Sequence, residues 1–254
     1  MILADTTRVL PIWVQSKPWG DPPGSPGYSP PDIQVHMNSG RVFVVGDIHG
    51  CLEMLQRLMD KIPWHPDKDR LIFLGDYIDR GENPKGVVDY IVALTRCSPH
   101  VDCLIGNHEA MFLDYLSGAD EELYLRNGGQ STLNSYEADK SGGGDSLVPP
   151  EHMAFYKSLK PYIELQDYYV VHAGFRPGVD ISEQKLEDMI WIRDPFIHST
   201  YDFGKRVIFG HTPLDEPLVM ENKIGLDTSA VYGLRLTCLE LPEMRFHSVE
   251  ARIS

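Results

Sequence analysis

Hydrophobic and polar positions follow two alternating periods from residue 41 to residue 249. Arg41-Val42-Phe43-Val44-Val45 is a short run rich in β-branched side chains and predicts a buried strand. Residues 51–62 then place apolar side chains at 52, 55, 58, 59 and 62, the spacing of an amphipathic helix. Leu71 to Leu74 predicts a second buried strand. Residues 84–95 predict a second helix, with Pro84 in the first turn where proline is tolerated. Val101 to Ile105 predicts a third strand, followed by a helix from about 108 to 117. Strands alternating with helices across short loops imply an α/β fold with parallel strands. From 118 to 160 the pattern is helical and polar, broken by a flexible loop at SGGGDS, 141–146. This stretch is either a roof over a site or a plain helical connection. Strands return at 168–171, 206–209, 218–220, 223–226, 234–239 and 245–249.

Residues 1–40 differ from the rest. Prolines at 11, 18, 22, 23, 26, 30 and 31 remove backbone donors and exclude a regular element. The expected organisation is a proline-rich arm over 1–40 and a catalytic domain over 41–254. Trp13, Trp19 and Tyr28 are the candidates to pin the arm down. A length of 254 residues and a hydrophobic share of 42% suit one large globular domain. The net charge of −14 argues against a nucleic-acid binder, because phosphate backbones are held by clustered Lys and Arg. It leaves room for a small phosphorylated ligand in a locally cationic site. Cys51, Cys97, Cys103 and Cys238 form no C-x-x-C pair. The N-terminus lacks the basic and apolar regions of a secretory signal, and no apolar run reaches membrane length. The expectation is a cytoplasmic, monomeric protein without membrane or nucleic-acid partners.

Polar residues recur beside glycine at the predicted strand ends. They stand in Gly46-Asp47-Ile48-His49-Gly50, in Gly75-Asp76-Tyr77-Ile78-Asp79-Arg80-Gly81 and in Gly106-Asn107-His108-Glu109. Val171-His172-Ala173-Gly174 and Phe209-Gly210-His211-Thr212 follow later. Parallel α/β sheets bind ligands beyond the carboxyl ends of their strands. Carboxylates and imidazoles converging there are costly without a partner, and divalent cations are the natural one. A mixed oxygen and nitrogen donor set suits Mn²⁺, Fe or Zn²⁺ better than Ca²⁺.

GDIHG, GDYIDRG, GNHE, HAG and GHT, in that order, resemble the signature of the phosphoprotein phosphatase family of metallophosphoesterases. The small bacterial and bacteriophage lambda-like serine/threonine phosphatases are its most similar branch. The resemblance covers residues 41 to about 240. It implies a four-layer α/β/β/α sandwich of two mixed sheets flanked by helices. It also implies two divalent metal ions, with manganese favoured, held by Asp47, His49, Asp76, Asn107, His172 and His211. Asp76 would bridge the pair, since dications about 3.5–4 Å apart need anionic charge between them. Arg80 and Arg193 would clamp phosphate, with Asn107 also touching substrate. Guanidinium forks match phosphoryl oxygens; for Arg193 an ion pair with Asp194 is the alternative. His108 would be the general acid, with Asp79 accepting its hydrogen bond and raising its pKa. Glu109 and Asp227 receive no role.

The activity so implied is phosphomonoester hydrolysis by a hydroxide shared between the metals, without a phosphoenzyme. The leading expectation is a serine/threonine protein phosphatase, with phosphotyrosine also admissible, acting on phosphorylated proteins or peptides. The alternative is a dinucleoside polyphosphate hydrolase of the diadenosine tetraphosphatase type. A non-enzymatic binding module is the remaining reading, disfavoured because all the implied ligands and both arginines are present.

Overall fold

The computed structural model describes residues 40–138 and 146–252, so the expected arm and most of the 141–146 loop lie outside the described residues. One sheet contains β1 (Val42–Val45), β2 (Arg70–Phe73), β3 (Val101–Cys103), β9 (Arg235–Leu241) and β10 (Arg245–Glu250). Its order is β10-β9-β1-β2-β3. Strands β1, β2 and β3 are parallel, and β9 and β10 pair antiparallel on the outer side of β1. The other sheet contains β4 (Tyr162–Glu164), β5 (Tyr168–Val171), β6 (Arg206–Phe209), β7 (Leu218–Val219) and β8 (Lys223–Gly225). Its order is β4-β5-β6-β8-β7, with β5, β6 and β8 parallel and the two edge strands antiparallel.

Side chains alternate across each strand, and here both faces are apolar. Val42, Val44, Ile72 and Leu74 join Val170, Ile208, Ile224 and Leu239 in one buried cluster, the seam between the sheets. Their neighbours Phe43, Val45, Leu71, Phe73, Val171, Val207 and Phe209 point the other way, into a second cluster shared with the helices. Strands buried on both faces read as continuous apolar runs, which is why β1, β2 and β6 were legible without alternation.

The helices are α1 (Leu52–Lys61), α2 (Pro84–Cys97), α3 (Asn107–Leu116), α4 (Glu121–Arg126), α5 (Gln130–Ala138), α6 (Pro150–Ser158), α7 (Leu186–Trp191) and α8 (Asp194–Ile197). α1 buries Met54, Leu55 and Leu58 and lies against β9 and β10. α2 starts where Asn83 accepts from Gly86 N at 3.0 Å, and buries Val87, Val88, Ile91 and Val92. The two mixed sheets with flanking helices are the expected four-layer sandwich. Two expectations shift. The third strand ends at Cys103, with Leu104 making only an isolated bridge to Lys160. Strand β4, unforeseen, is a three-residue edge too short for any period to register. All four cysteines are free. Among the described residues, no helix is long and apolar enough to cross a membrane.

Candidate metal centre

The carboxyl ends of β1, β2, β5 and β6 meet on one rim, and the sharp turns there carry the polar residues. His49, Asp76, Asp79, Arg80 and His211 have φ of 46°, 51°, 69°, 67° and 64°. Left-handed backbone in residues with a side chain costs about 1–3 kcal/mol each and persists only where the surroundings enforce it. Glycines make close approaches here, two of them to aspartate carboxylates. A Cβ on Gly106 would stand 2.1 Å from Asp76 Oδ1, and one on Gly210 would stand 2.0 Å from Asp47 Oδ1.

Asp76 sits at the middle of the site. Its Oδ2 is 3.4 Å from His49 Nε2 and its Oδ1 is 3.4 Å from His172 Nε2, so each oxygen faces one imidazole. His172 Nε2 also lies 3.1 Å from Asn107 Oδ1. Ligand atoms of Asp76, His172 and His211 fall within 4.8 Å of one another, as do those of His49, Asp76 and His108. Asp47 Oδ2 accepts from His211 N at 2.9 Å, while its Oδ1 is buried without a partner. His49 Nδ1 lies 2.9 Å from Ile78 O and His172 Nδ1 lies 2.9 Å from Leu74 O. Each ring therefore donates Nδ1–H to a carbonyl and turns the Nε2 lone pair toward Asp76, the arrangement that orients metal-binding histidines.

The electrostatics agree with a cation pair. Burial, then the charges of Asp227 and Asp76, pushes the Asp47 carboxyl well up. Burial lifts Asp76 to about 8. Burial pushes His49, His172 and His211 down, His172 to about 4, leaving neutral imidazoles in the ligating form. Carboxyls held too high and imidazoles held neutral are what a divalent cation reverses and uses, respectively. The donor set and the orphaned Asp47 oxygen fit two such ions.

The arginines line the same rim. Arg80 Nη1 is 2.8 Å from His49 Nε2, and Arg193 Nε donates to His211 Nε2 at 3.2 Å. Arg193 therefore faces the centre; its neighbour Asp194 stands 3.8 Å from His198 instead. The buried amine of Lys223 donates to Phe196 O at 2.7 Å and Ser199 O at 2.5 Å, which anchors the far end of α8, the helix Arg193 opens. The Arg80 guanidinium also lies 5.9 Å from the ring centroid of Tyr232, a side chain 60% exposed.

His108 Nδ1 meets Asp79 Oδ2 at 2.6 Å, and its Nε2 is buried with no partner. The hydrogen bond is as expected; its expected effect on the pKa is not. Burial, then the positive charge of Arg80, pushes the imidazole well down. Burial lifts Asp79 to about 7. Desolvation disfavours charge on both partners, so the carboxylate does not raise the imidazole.

Every residue singled out from the motifs thus lies in one contact network. Sequence reasoning missed the groups that hold it in shape. Glu109 is fully buried and accepts Asp76 N and Tyr77 N at 2.8 Å and Gly106 N at 3.0 Å. Burial and the Asp76 charge lift its carboxyl to about 8. Its position three residues after the glycine that opens α3 was the available signal, because a Glu there reaches back to the first N–H. Asp227, just past β8, is buried and acts on Asp47 through its charge. Tyr124 and Thr132 reach Asp79 from the 118–160 stretch, and no motif announced them.

The calcineurin-like phosphoesterase profile matches residues 40–235. The asymmetrical bis(5'-nucleosyl)-tetraphosphatase PrpE of Bacillus thuringiensis (strain Al Hakam) is 28% identical, over 83% of this chain and 94% of that one. The protein of the same name from Bacillus cereus (strain 03BB102) aligns equally well. Among solved structures, a protein provisionally assigned as a diadenosine tetraphosphatase superposes with a TM-score of 0.69 at 23% identity, covering 87% of this chain and 97% of that one. A cold-active protein-tyrosine phosphatase from a Shewanella species gives 0.60 at 17%, over 84% and 80%. A Saccharomyces cerevisiae protein serine/threonine phosphatase gives 0.59 at 15%, over 86% and 82%.

Proposed function

The chain belongs to the calcineurin-like phosphoesterase family, and from that premise we propose that its substrate is a dinucleoside polyphosphate, cut at one phosphoanhydride bond. The coarser statement, a metal-dependent phosphoester hydrolase, follows from the family. The observation that carries the finer one is the likeness over 94% of the length of proteins named tetraphosphatases. The rim supplies a physical reason. Tyr232 offers an exposed aromatic face beside Arg80, where a nucleobase can stack while the guanidinium meets phosphate. This reverses the order of the two expectations: the protein phosphatase reading now ranks second, since the solved protein phosphatases at 15–17% identity share the fold alone.

Six side chains, Asp47, His49, Asp76, Asn107, His172 and His211, would hold two divalent ions, manganese being favoured. Bound there, such ions supply positive charge against the phosphoryl oxygens and lower the pKa of a water. The chain's own residues do the rest. Arg80 and Arg193, already on the rim, bind and orient the phosphate chain through their forked donors. An incoming phosphate anion offsets the cationic neighbours, which come second to burial in depressing His108, and so favours its protonated form. His108 Nε2 then gives its proton to the leaving oxygen, and Asp79 keeps the ring aimed. Water and one phosphoanhydride bond are consumed, and two nucleotides, each ending in a phosphate, are released.

Diadenosine tetraphosphate, a phosphoserine peptide and p-nitrophenyl phosphate, assayed side by side with manganese, test this. The expected result is the highest kcat/KM for the dinucleotide, with ATP and AMP as products of asymmetric cleavage; two ADP would mean symmetric cleavage. Higher kcat/KM for the phosphopeptide would refute the proposal. Tyr232→Ala should raise KM for the dinucleotide by roughly ten-fold, from a stacking contribution of about 1–3 kcal/mol, and should affect p-nitrophenyl phosphate less.

A further inference from the structure

Asp79 makes more hydrogen bonds than its pairing with His108 requires. Its Oδ1 accepts the Tyr124 hydroxyl at 2.8 Å and the Thr132 hydroxyl at 2.5 Å. Thr132 Oγ1 in turn accepts Asp79 N at 2.9 Å. Both donors are fully buried and come from α4 and α5. The same segment holds the next residue, because Arg80 N donates to Gly128 O at 3.2 Å. The approach is close. Gly128, at φ +96°, would place a Cβ 2.8 Å from Arg80 Cγ, and Gly129 would place one 2.5 Å from the Tyr124 ring. Asn127-Gly128-Gly129 is thus the thin strip that lets the helices press on Asp79 and Arg80, the two consecutive left-handed residues of that turn.

We infer that the segment carrying α4 and α5 is a positioning device for the proton donor, with Tyr124 and Thr132 as its working side chains. A carboxylate free to turn about its last torsion would offer His108 either oxygen in succession and let the ring swing. Two hydroxyls on Oδ1 fix the carboxylate plane, leaving Oδ2 to hold Nδ1 and aim Nε2 into the centre. Neither residue is assigned a contact with substrate; both act through Asp79. The inference rests on the proposed role of His108 as proton donor.

Tyr124→Phe, Thr132→Val and Thr132→Ser, prepared as manganese-loaded full chains, test it on phenyl phosphate and p-nitrophenyl phosphate. The poorer leaving group depends more on a well-placed proton. Phenyl phosphate kcat should fall about ten- to hundred-fold in Tyr124→Phe and Thr132→Val. The fall should clearly exceed that for p-nitrophenyl phosphate, with KM and manganese content near native values. Thr132→Ser, which keeps the hydroxyl, should restore most of the rate. Equal losses on both esters or loss of manganese, which a merely structural role predicts, would overturn the inference, and so would no loss at all. His108→Asn run alongside separates the two levels. If it slows both esters equally, the proton-donor reading fails and the inference falls with it. If it is selective while Tyr124→Phe and Thr132→Val are not, the inference alone fails.

Discussion

Replacing Glu109 with glutamine separates charge and hydrogen bonding from shape at the turn that carries Asp76. One carboxylate oxygen accepts Asp76 N at 2.8 Å and Gly106 N at 3.0 Å; the other accepts Tyr77 N at 2.8 Å. Glutamine can keep its carbonyl on the two-donor side, but its amide nitrogen then faces Tyr77 N–H, donor against donor. A buried donor left without an acceptor costs about 1–3 kcal/mol. Alanine would strand all three donors at a cost on the order of 3–9 kcal/mol, which approaches the whole stability of a domain, about 5–15 kcal/mol. Glutamine is therefore the informative variant. Asp76 sits at φ 51°, and a weakened anchor lets that strained turn relax. Metal affinity should then fall by about 10- to 100-fold, as when other partners supporting ligands are removed. Urea unfolding of chelated protein and manganese titration by calorimetry measure both effects. Unfolding free energy within about 0.5 kcal/mol of native, together with unchanged manganese affinity, would refute the reasoning.

Three further outcomes follow from the same geometry. Gly210→Ala drives a methyl toward Asp47 Oδ1, from a built distance of 2.0 Å; manganese affinity should drop at least about ten-fold, and native affinity in a calorimetric titration would count against Asp47 as a ligand. Lys223→Met removes the donor to Phe196 O and Ser199 O, so thermal unfolding should show a loss of about 2–5 kcal/mol and KM should rise as Arg193 loses its anchor. The metal-free protein should lose stability as pH rises from about 6.5 to 8.5. Burial raises Asp76 and Glu109 to about 8, far above their unfolded values of about 4, so the folded chain retains protons there that the unfolded chain has released, and stability declines. The depressed histidines act in the opposite direction, but only below their unfolded value of about 6.5. Thermal melts in chelator should therefore fall across that window, while manganese-loaded melts stay flatter; a rising melt in chelator would contradict the sign.

The sequence made the framework legible because the strands bury both faces. Val42 to Val45 and Val207 to Phe209 are apolar without interruption, and the seam and the helix-facing cores take alternate residues of each run. The candidate ligands were legible because each follows such a run within four residues and stands within two positions of a glycine. What stayed hidden acts at long range. Thr132 meets Asp79 across 53 positions, and its sequence neighbours look like any polar helix. Lys223 reads as a surface cation beside Asn222, yet it is fully buried against the end of α8. The pKa of His108 was misjudged because a carboxylate neighbour is visible in a motif, whereas burial is a property of the assembled fold.

The rim is built from both leaves of the sandwich: Asp47, His49, Asp76 and Asn107 follow strands of the first sheet, and His172 and His211 follow strands of the second. A cation lodged among them would work as a rivet through the join. Peeling the leaves apart would have to evict it, so occupancy and cohesion of the two halves rise and fall together. Neither leaf owns the complete set, and the catalytic machinery comes into being only at their closure.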